Sequence, residues 1–97
     1  MKIFKDKELT QEVEVLDLGI VPAGETKKYT FFVYNELKAD LKELEFKIAH
    51  KEVKILSSPV LMNAESKDDL VIEWSPSITL KEGLKAALLI DGLELWS

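Results

Sequence analysis

Residues 15–35, VLDLGIVPAGETKKYTFFVYN, contain two extended segments joined by a turn. The first segment, 15–21, includes the pair Leu18-Gly19. In Pro22-Ala23-Gly24-Glu25, proline restricts φ and glycine can adopt a positive φ, so these residues predict a turn. The second segment, 26–34, is the richest run of aromatic and β-branched residues in the chain, which favours a strand ending at Asn35.

Apolar residues also alternate with polar ones along most of the remaining chain, and a period of two is typical of strands. Glycine and proline lie between these runs, and Asp91-Gly92 predicts an interruption of the last strand. About seven short strands at regular spacing predict an all-β sandwich that forms a single domain, 1–97. The side chains predicted to face inward are Tyr29, Phe31, Val33, Leu44, Phe46, Ile48, Leu70, Ile72, Trp74, Leu84, Ala86, Leu88 and Ile90.

One segment supports an alternative architecture. Leu37, Leu41, Leu44 and Ile48 are spaced as on one face of a helix, and residues 36–52 are rich in good helix formers. The alternative is therefore an α/β sandwich with a helix at 36–52. Phe46 lies outside the helical stripe, and the neighbouring segments all predict strands, so we favour a strand here.

Composition excludes several functional classes. The net charge is −5, and all 13 cationic side chains are lysine. Nucleic-acid binding usually needs clustered positive charge and arginine, so we expect no nucleic-acid partner. No run approaches the roughly 18 apolar residues of a membrane span, so we expect no membrane partner. The first six residues are too charged for a signal peptide, which favours the cytoplasm.

The residue types that support catalysis or metal binding are sparse. The chain has no cysteine, and His50 is the only histidine. A histidine triad or metal site needs partners at a set spacing, and none is evident around His50. Asp68-Asp69 and Asp91 with Glu94 lack the spacing of a calcium loop, and neither phosphate-loop motif is present. We therefore expect no enzyme activity, no catalytic or metal-binding residues and no cofactor.

The order of these features resembles the major-sperm-protein-like group of immunoglobulin-like sandwiches, including the ASPM–SPD-2–Hydin type. Leu16-Asp17-Leu18-Gly19 matches the entry strand of that pattern, and the turn at Gly24 and the aromatic strand ending in Asn35 follow. Residues 70–76, a strand that runs into Pro76, and the alternating strand 83–90 complete it. The chain departs from the pattern at 64–67, where a Pro-Gly turn is usual.

The resemblance implies an interaction role without catalysis. Such domains serve as scaffold and docking modules in larger assemblies, and similar immunoglobulin-like domains decorate phage heads, necks and tails. We therefore expect a structural or interaction module that is multimeric in its assembly. The favoured version is a virion component assembled in the host cytoplasm. The alternative is a cytosolic major-sperm-protein-like adaptor that binds a peptide motif of a larger protein.

Five apolar residues are predicted to form the protein interface. If Tyr29, Phe31 and Val33 face inward, strand alternation directs their neighbours outward. Trp96 lies in an apolar terminal segment and either closes the core or contacts a neighbouring subunit. Outward aromatic side chains on a small domain are candidate anchors for a partner. The candidate interface residues are Phe32, Tyr34, Val71, Leu89 and Trp96.

Overall fold

The computed structural model describes residues 1–96, which form ten β-strands and no helix. Every strand pairing is antiparallel. The protein is therefore all-β, as the alternation predicted. In chain order the strands are β1 Lys2–Phe4, β2 Glu12–Val13, β3 Leu16–Gly19, β4 Lys27–Tyr34, β5 Asp40–Ile48, β6 Val53–Ser57, β7 Leu61–Met62, β8 Lys67–Trp74, β9 Leu84–Ala86 and β10 Leu88–Leu95.

The strands form three sheets around one core. A five-stranded sheet has the order β2-β1-β4-β8-β6, a three-stranded sheet has the order β10-β5-β7, and β3 pairs with β9. Side chains from all three sheets form one continuous apolar cluster. The domain measures 48 × 25 × 16 Å, and its short dimension accommodates two sheet layers about 10 Å apart. The arrangement is therefore sandwich-like.

The turn within residues 15–35 forms as predicted and places β4 next to the core. The amide of Glu25 donates a hydrogen bond to the Pro22 carbonyl at 3.1 Å, and Gly24 has a φ of +84°. Strand β4 lies at the centre of the five-stranded sheet. Phe31 and Val33 are buried, whereas Tyr29 is half-buried, so the predicted inward face of this strand is confirmed.

The alternative helix at 36–52 is wrong. Strand β5 occupies most of this segment and pairs with β10 on one side and β7 on the other. Glu43 has a φ of +53°, and Glu43 and Leu44 together face the single residue Gly92, which makes a β-bulge. The extra residue allows Leu41 and Leu44 both to point inward. Because of the bulge, two inward-facing residues of one strand lie three positions apart. The same spacing occurs on one face of a helix.

The predicted interruption at Asp91-Gly92 is also wrong. Strand β10 continues through both residues, and the break lies earlier, at Ala87 between β9 and β10. Gly92 faces the β5 bulge, where a Cβ atom would lie 2.8 Å from Cδ2 of Leu44. The absence of a side chain at Gly92 therefore allows Leu44 of β5 to pack closely against β10. The described residues form ten strands where about seven were predicted, partly because the single strand predicted at 83–90 is divided at Ala87 into β9 and β10.

Candidate functional site

The five candidate interface residues lie on two separate surfaces. Phe32 and Tyr34 on β4 and Val71 on β8 are half-buried on the outer face of the five-stranded sheet. Leu89 on β10 is 59% exposed, and Trp96, just after β10, is 62% exposed. The exposure of Trp96 shows that it does not close the core. The fold thus leaves two candidate surfaces, one half-buried and one exposed to solvent.

The surface around Phe32 is partly covered by the start of the chain. Phe4 on β1 lies opposite Phe32 in register and is buried, although it lies outside the main core cluster. Lys67 on β8 donates a hydrogen bond from its Nζ atom to the carbonyl of Lys7 at 2.7 Å. This contact ties the β1–β2 loop to β8, on the far side of β4. The outward aromatic side chains of β4 therefore pack largely against other parts of the same domain.

The second surface consists of exposed apolar side chains along β10. Odd-numbered residues of this strand face away from the core, because Ile90 pairs with the buried Phe46. The sequence does not single out Leu93 and Leu95, because Asp91-Gly92 predicts a break before them. Unbroken alternation of 89, 91, 93 and 95 would have identified them. We call Leu89, Leu93, Leu95 and the exposed Trp96 the β10 patch. Trp96 follows the strand, and its indole N–H donates a hydrogen bond to Glu94 at 3.0 Å.

The β10 patch continues across the three-stranded sheet. Leu93 lies opposite Lys42 of β5, and Lys42 in turn lies opposite Leu61 of β7, which is exposed. The row Leu93–Lys42–Leu61 therefore places the aliphatic stem of a lysine between two leucines. This widens the exposed apolar surface beyond a single strand.

Strand β10 also has the longest unpaired edge among residues 1–96. It pairs with β5 on one side only, over eight residues. The other strands at the ends of the two larger sheets are shorter: β2 and β7 have two residues each, and β6 has five with a bulge at Leu56. The bulge next to β10 belongs to β5, so β10 itself is regular. Long regular edges are usually protected, because they present unpaired N–H and C=O groups to other chains.

A cleft of 210 Å³ opens beside this edge on the inward side of β10. Its walls combine apolar side chains with polar groups, and Gly92 leaves space in it because it has no side chain. The N-terminal ammonium of Met1 is held near the cleft by Glu36, at 2.9 Å. This ion pair fixes one wall of the cleft. The lining residues are Met1, Leu37, Leu41, Leu44, Ile90, Asp91, Gly92 and Glu94.

The surroundings of the cleft and the β10 patch are acidic. Glu43, Glu45 and Asp91 line a shallow groove with Leu93, and Glu94 lies at the cleft. Lys47 is 3.5 Å from Glu45 and compensates that carboxylate. Within residues 1–96, Glu43, Asp91 and Glu94 form no ion pair. The surface thus combines exposed leucines with uncompensated negative charge.

Glu36 at the cleft has a shifted pKa: burial acts to raise it, but the hydrogen bond from the Met1 ammonium and its charge lower it overall. The other titratable groups with shifted pKa values lie away from this surface. A hydrogen bond from the Thr10 hydroxyl lowers the pKa of Asp6, and one from Ser77 lowers the pKa of Glu52. Burial raises the pKa of Tyr29. Each has a structural partner in a loop or at a strand end. Among residues 1–96, no three His, Asp or Glu side chains come together as a metal-binding group.

The aromatic ring of His50 lies against Trp74. Their rings meet edge to face with centroids 6.5 Å apart, and His50 Nδ1 accepts a hydrogen bond from the amide of Glu52. Trp74 is fully buried, and its indole N–H has no hydrogen-bond partner among the described residues. These contacts place His50 in a packing role at the end of β5.

The described part of the chain also holds no helix that could cross a membrane.

Comparisons of the chain with protein-family models, with curated proteins and with solved structures found no match.

Proposed function

We propose that this protein is a non-enzymatic docking module that contacts other proteins through the β10 patch and the adjoining strand edge. The observation that carries the proposal is the edge itself, which is eight residues long, regular and flanked by exposed leucines. Exposed apolar groups of this kind mark contact surfaces, because burying them on association is favourable. The partner is another protein subunit rather than a nucleic acid or a membrane.

The immunoglobulin-like, major-sperm-protein-like architecture belongs to the same proposal. Its support is the all-β, antiparallel, sandwich-like core and the order of motifs from Leu16 to Ile90. Domains of this type present strands and loops on a rigid core. A rigid scaffold lowers the entropic cost of binding, since the contact surface is already ordered.

Two biological settings fit a docking module. In the first, the protein is a virion component of a phage head, neck or tail, assembled in the host cytoplasm, and the β10 patch packs against other subunits. In the second, it is a cytosolic adaptor that binds a peptide motif of a larger protein. The open edge of β10 and its cleft favour the adaptor, because a strand edge accepts an extended segment directly.

The test compares association before and after the β10 patch is made polar. The double variant Leu89→Lys with Leu93→Lys changes two outward side chains that are already exposed, so we expect the fold to persist. Ile78→Lys is the matched control, because Ile78 is 64% exposed and lies in the β8–β9 loop. Each protein is added to native-source extract and sized by size-exclusion chromatography with light scattering.

We expect the wild-type protein and the control to migrate in a complex larger than one chain, and the double variant to migrate alone. Co-migration with a megadalton particle would support the virion setting, whereas a small complex of defined stoichiometry would support the adaptor. The proposal is wrong if the wild-type protein migrates as a single chain, or if the double variant remains in the complex.

A further inference from the structure

We infer that the unpaired edge of β10 pairs with β10 of a second copy of this chain, in an antiparallel register whose two-fold axis passes between the two Leu93 residues. The inference rests on the proposed docking function and names its partner. Two three-stranded sheets would then join into one sheet of six strands. Because the same edge serves in both copies, this symmetric pairing closes both long edges at once.

Geometry and charge leave two registers for a β10–β10 pair. The exposed leucines of the two copies meet only when both outward faces lie on the same side of the joined sheet. Since directly opposite residues of paired strands share a face, the axis must then pass between a residue and its own copy. Registers centred near either end of β10 pair fewer residues. Centring the pair on Asp91 or on Glu94 places two identical carboxylates opposite each other, which is destabilising, so Gly92 and Leu93 remain as centres.

The side chain placed opposite Ile90 selects the register centred on Leu93. Ile90 faces inward and packs against the core cluster. In the register centred on Gly92, Glu94 of each copy would bring its carboxylate against Ile90 of the other, where it would lose water. The register centred on Leu93 places Trp96 of the other copy opposite Ile90 instead. Glu94 then lies opposite Gly92, which has no side chain, and an apolar group covers an apolar group.

The contact between Trp96 and Glu94 supports this arrangement. The indole N–H of Trp96 donates to the Glu94 carboxylate at 3.0 Å, so both side chains lie on one face of the extended chain. Trp96 is nevertheless 62% exposed within a single copy. In the joined sheet its ring would be covered by Ile90 of the other copy, and Glu94 would keep the hydrogen bond that it already has. The second copy therefore buries an aromatic side chain without leaving a carboxylate unpartnered.

An apolar row on the outward face also supports the register centred on Leu93. Within one copy Leu93 lies opposite Lys42, which lies opposite Leu61. Pairing Leu93 with its own copy would extend this row across all six strands, with two leucines in contact at the axis. Asp91 would lie opposite Leu95 of the other copy, so no two carboxylates are directly opposed. The pairing thus needs no cation from outside the chain.

Three single substitutions on the outward face of β10 test the register. Leu93→Lys places two ammonium groups opposite each other at the axis, whereas Leu95→Lys places each new ammonium group opposite Asp91 of the other copy. Leu89→Lys is the matched control, because it adds the same charge outside the paired residues 90–96. All three leucines are exposed, so each variant should fold like the wild type. Sedimentation equilibrium of the purified full chain, from about 10 µM to about 1 mM, measures the dissociation constant of the dimer.

We expect the wild-type chain to dimerise reversibly with a dissociation constant in the micromolar range, because a single strand pair is a small interface. Leu93→Lys should raise that constant at least about ten-fold, since like charges oppose each other at the axis. Leu89→Lys should leave it within about two-fold of the wild-type value. Leu95→Lys should leave it equal or lower, since the new side chain gains a carboxylate opposite it.

A cysteine at the axis gives an independent measurement of the register. The chain has no cysteine, so Leu93→Cys introduces the only thiol of each copy. Side chains directly opposite each other across paired strands lie close to the separation that a disulfide needs. Mild oxidation should therefore cross-link Leu93→Cys into a covalent dimer at least about ten-fold faster than Leu89→Cys, since only the first pair of thiols is held together.

Four outcomes would overturn the inference. They are a wild-type chain that stays monomeric over the whole concentration range, a dimer that Leu93→Lys weakens no more than Leu89→Lys does, a ten-fold loss for Leu95→Lys, and equal cross-linking of the two cysteine variants. The proposed function has a separate readout. If the purified chain stays monomeric while Leu89→Lys with Leu93→Lys abolishes the complex in extract, the docking function stands and a foreign protein occupies the edge.

Discussion

The hydroxyl of Tyr29 donates a hydrogen bond to the carbonyl of Leu18 at 2.6 Å. Leu18 lies on β3 and Tyr29 on β4, so the bond spans the turn at Pro22–Glu25 and links the small β3–β9 sheet to the five-stranded sheet. Leu18 is almost fully buried, and burial raises the pKa of the Tyr29 hydroxyl. The contact therefore connects the two strands that flank the turn within residues 15–35.

Tyr29→Phe should lower the free energy of unfolding by about 1–2 kcal/mol, because the partly buried carbonyl of Leu18 loses its donor. The wild-type protein should also lose stability as the pH rises above the ordinary tyrosine value of 10.0, since the folded state favours the neutral hydroxyl. Urea denaturation at neutral pH and above pH 10 measures both effects. Tyr34→Phe is the control at the other end of β4. Equal stability of wild type and Tyr29→Phe at neutral pH would contradict the assignment.

Asn35 is the one fully buried polar side chain in the described core. Its Nδ2 atom donates to the carbonyls of Ala39 and Asn63, and its Oδ1 atom accepts from the amide of Leu37. Asn35→Ala should cost about 2–4 kcal/mol, because three backbone groups lose a partner in a buried site. Thermal or chemical denaturation tests this.

Asn63→Ala is the matched control for Asn35→Ala. Asn63 is exposed and contributes only its backbone carbonyl to the Asn35 contact, which alanine retains. We expect a change within about 0.5 kcal/mol. Similar losses for the two variants would show that the side-chain hydrogen bonds of Asn35 are not what stabilises this loop.

Two glycines with positive φ should respond very differently to alanine. At Gly83, φ is +79° and a Cβ atom would lie 2.8 Å from the carbonyl oxygen of Gly19, which is backbone and cannot move aside easily. At Gly24, φ is +84° but the space is open. Gly24→Ala should therefore cost only about 1–2 kcal/mol of backbone strain. Gly83→Ala should cost at least about 3 kcal/mol, and melting temperatures in that order would confirm the close approach.

Phe32 and Trp96 were both predicted from the sequence as interface anchors, and the structure separates their expected effects. Phe32→Ala should lower the free energy of unfolding by about 1–2 kcal/mol, because this half-buried ring lies opposite the buried Phe4. Trp96→Ala should change stability by less than about 0.5 kcal/mol and weaken association instead. Denaturation curves measure the first effect, and sizing in native-source extract measures the second. A large stability loss for Trp96→Ala would place that side chain in the fold rather than at an interface.

The sequence alone determined the strand class, the turn at Gly24 and the inward residues of β4 and β8. These properties follow from local rules, because alternation, proline and glycine act over a few residues. It also indicated Leu89 as an outward apolar residue, and it left Trp96 open between the core and an interface. Local pattern was insufficient at 36–52, where Leu41 and Leu44 had a helical spacing that the bulge at Glu43 explains.

Only the tertiary structure decided which strand edge stays unpaired and what lies beside it. Gly92 looked like a break, yet it lies within β10 because the glycine fits against Leu44 of the bulged neighbour. Phe32 looked exposed, yet the β1–β2 loop is tied across its sheet through Lys67 and Lys7. Pairing between strands distant in sequence satisfies backbone groups and buries side chains that local periodicity cannot assign, so the β10 edge and its acidic cleft emerge only when the chain is folded.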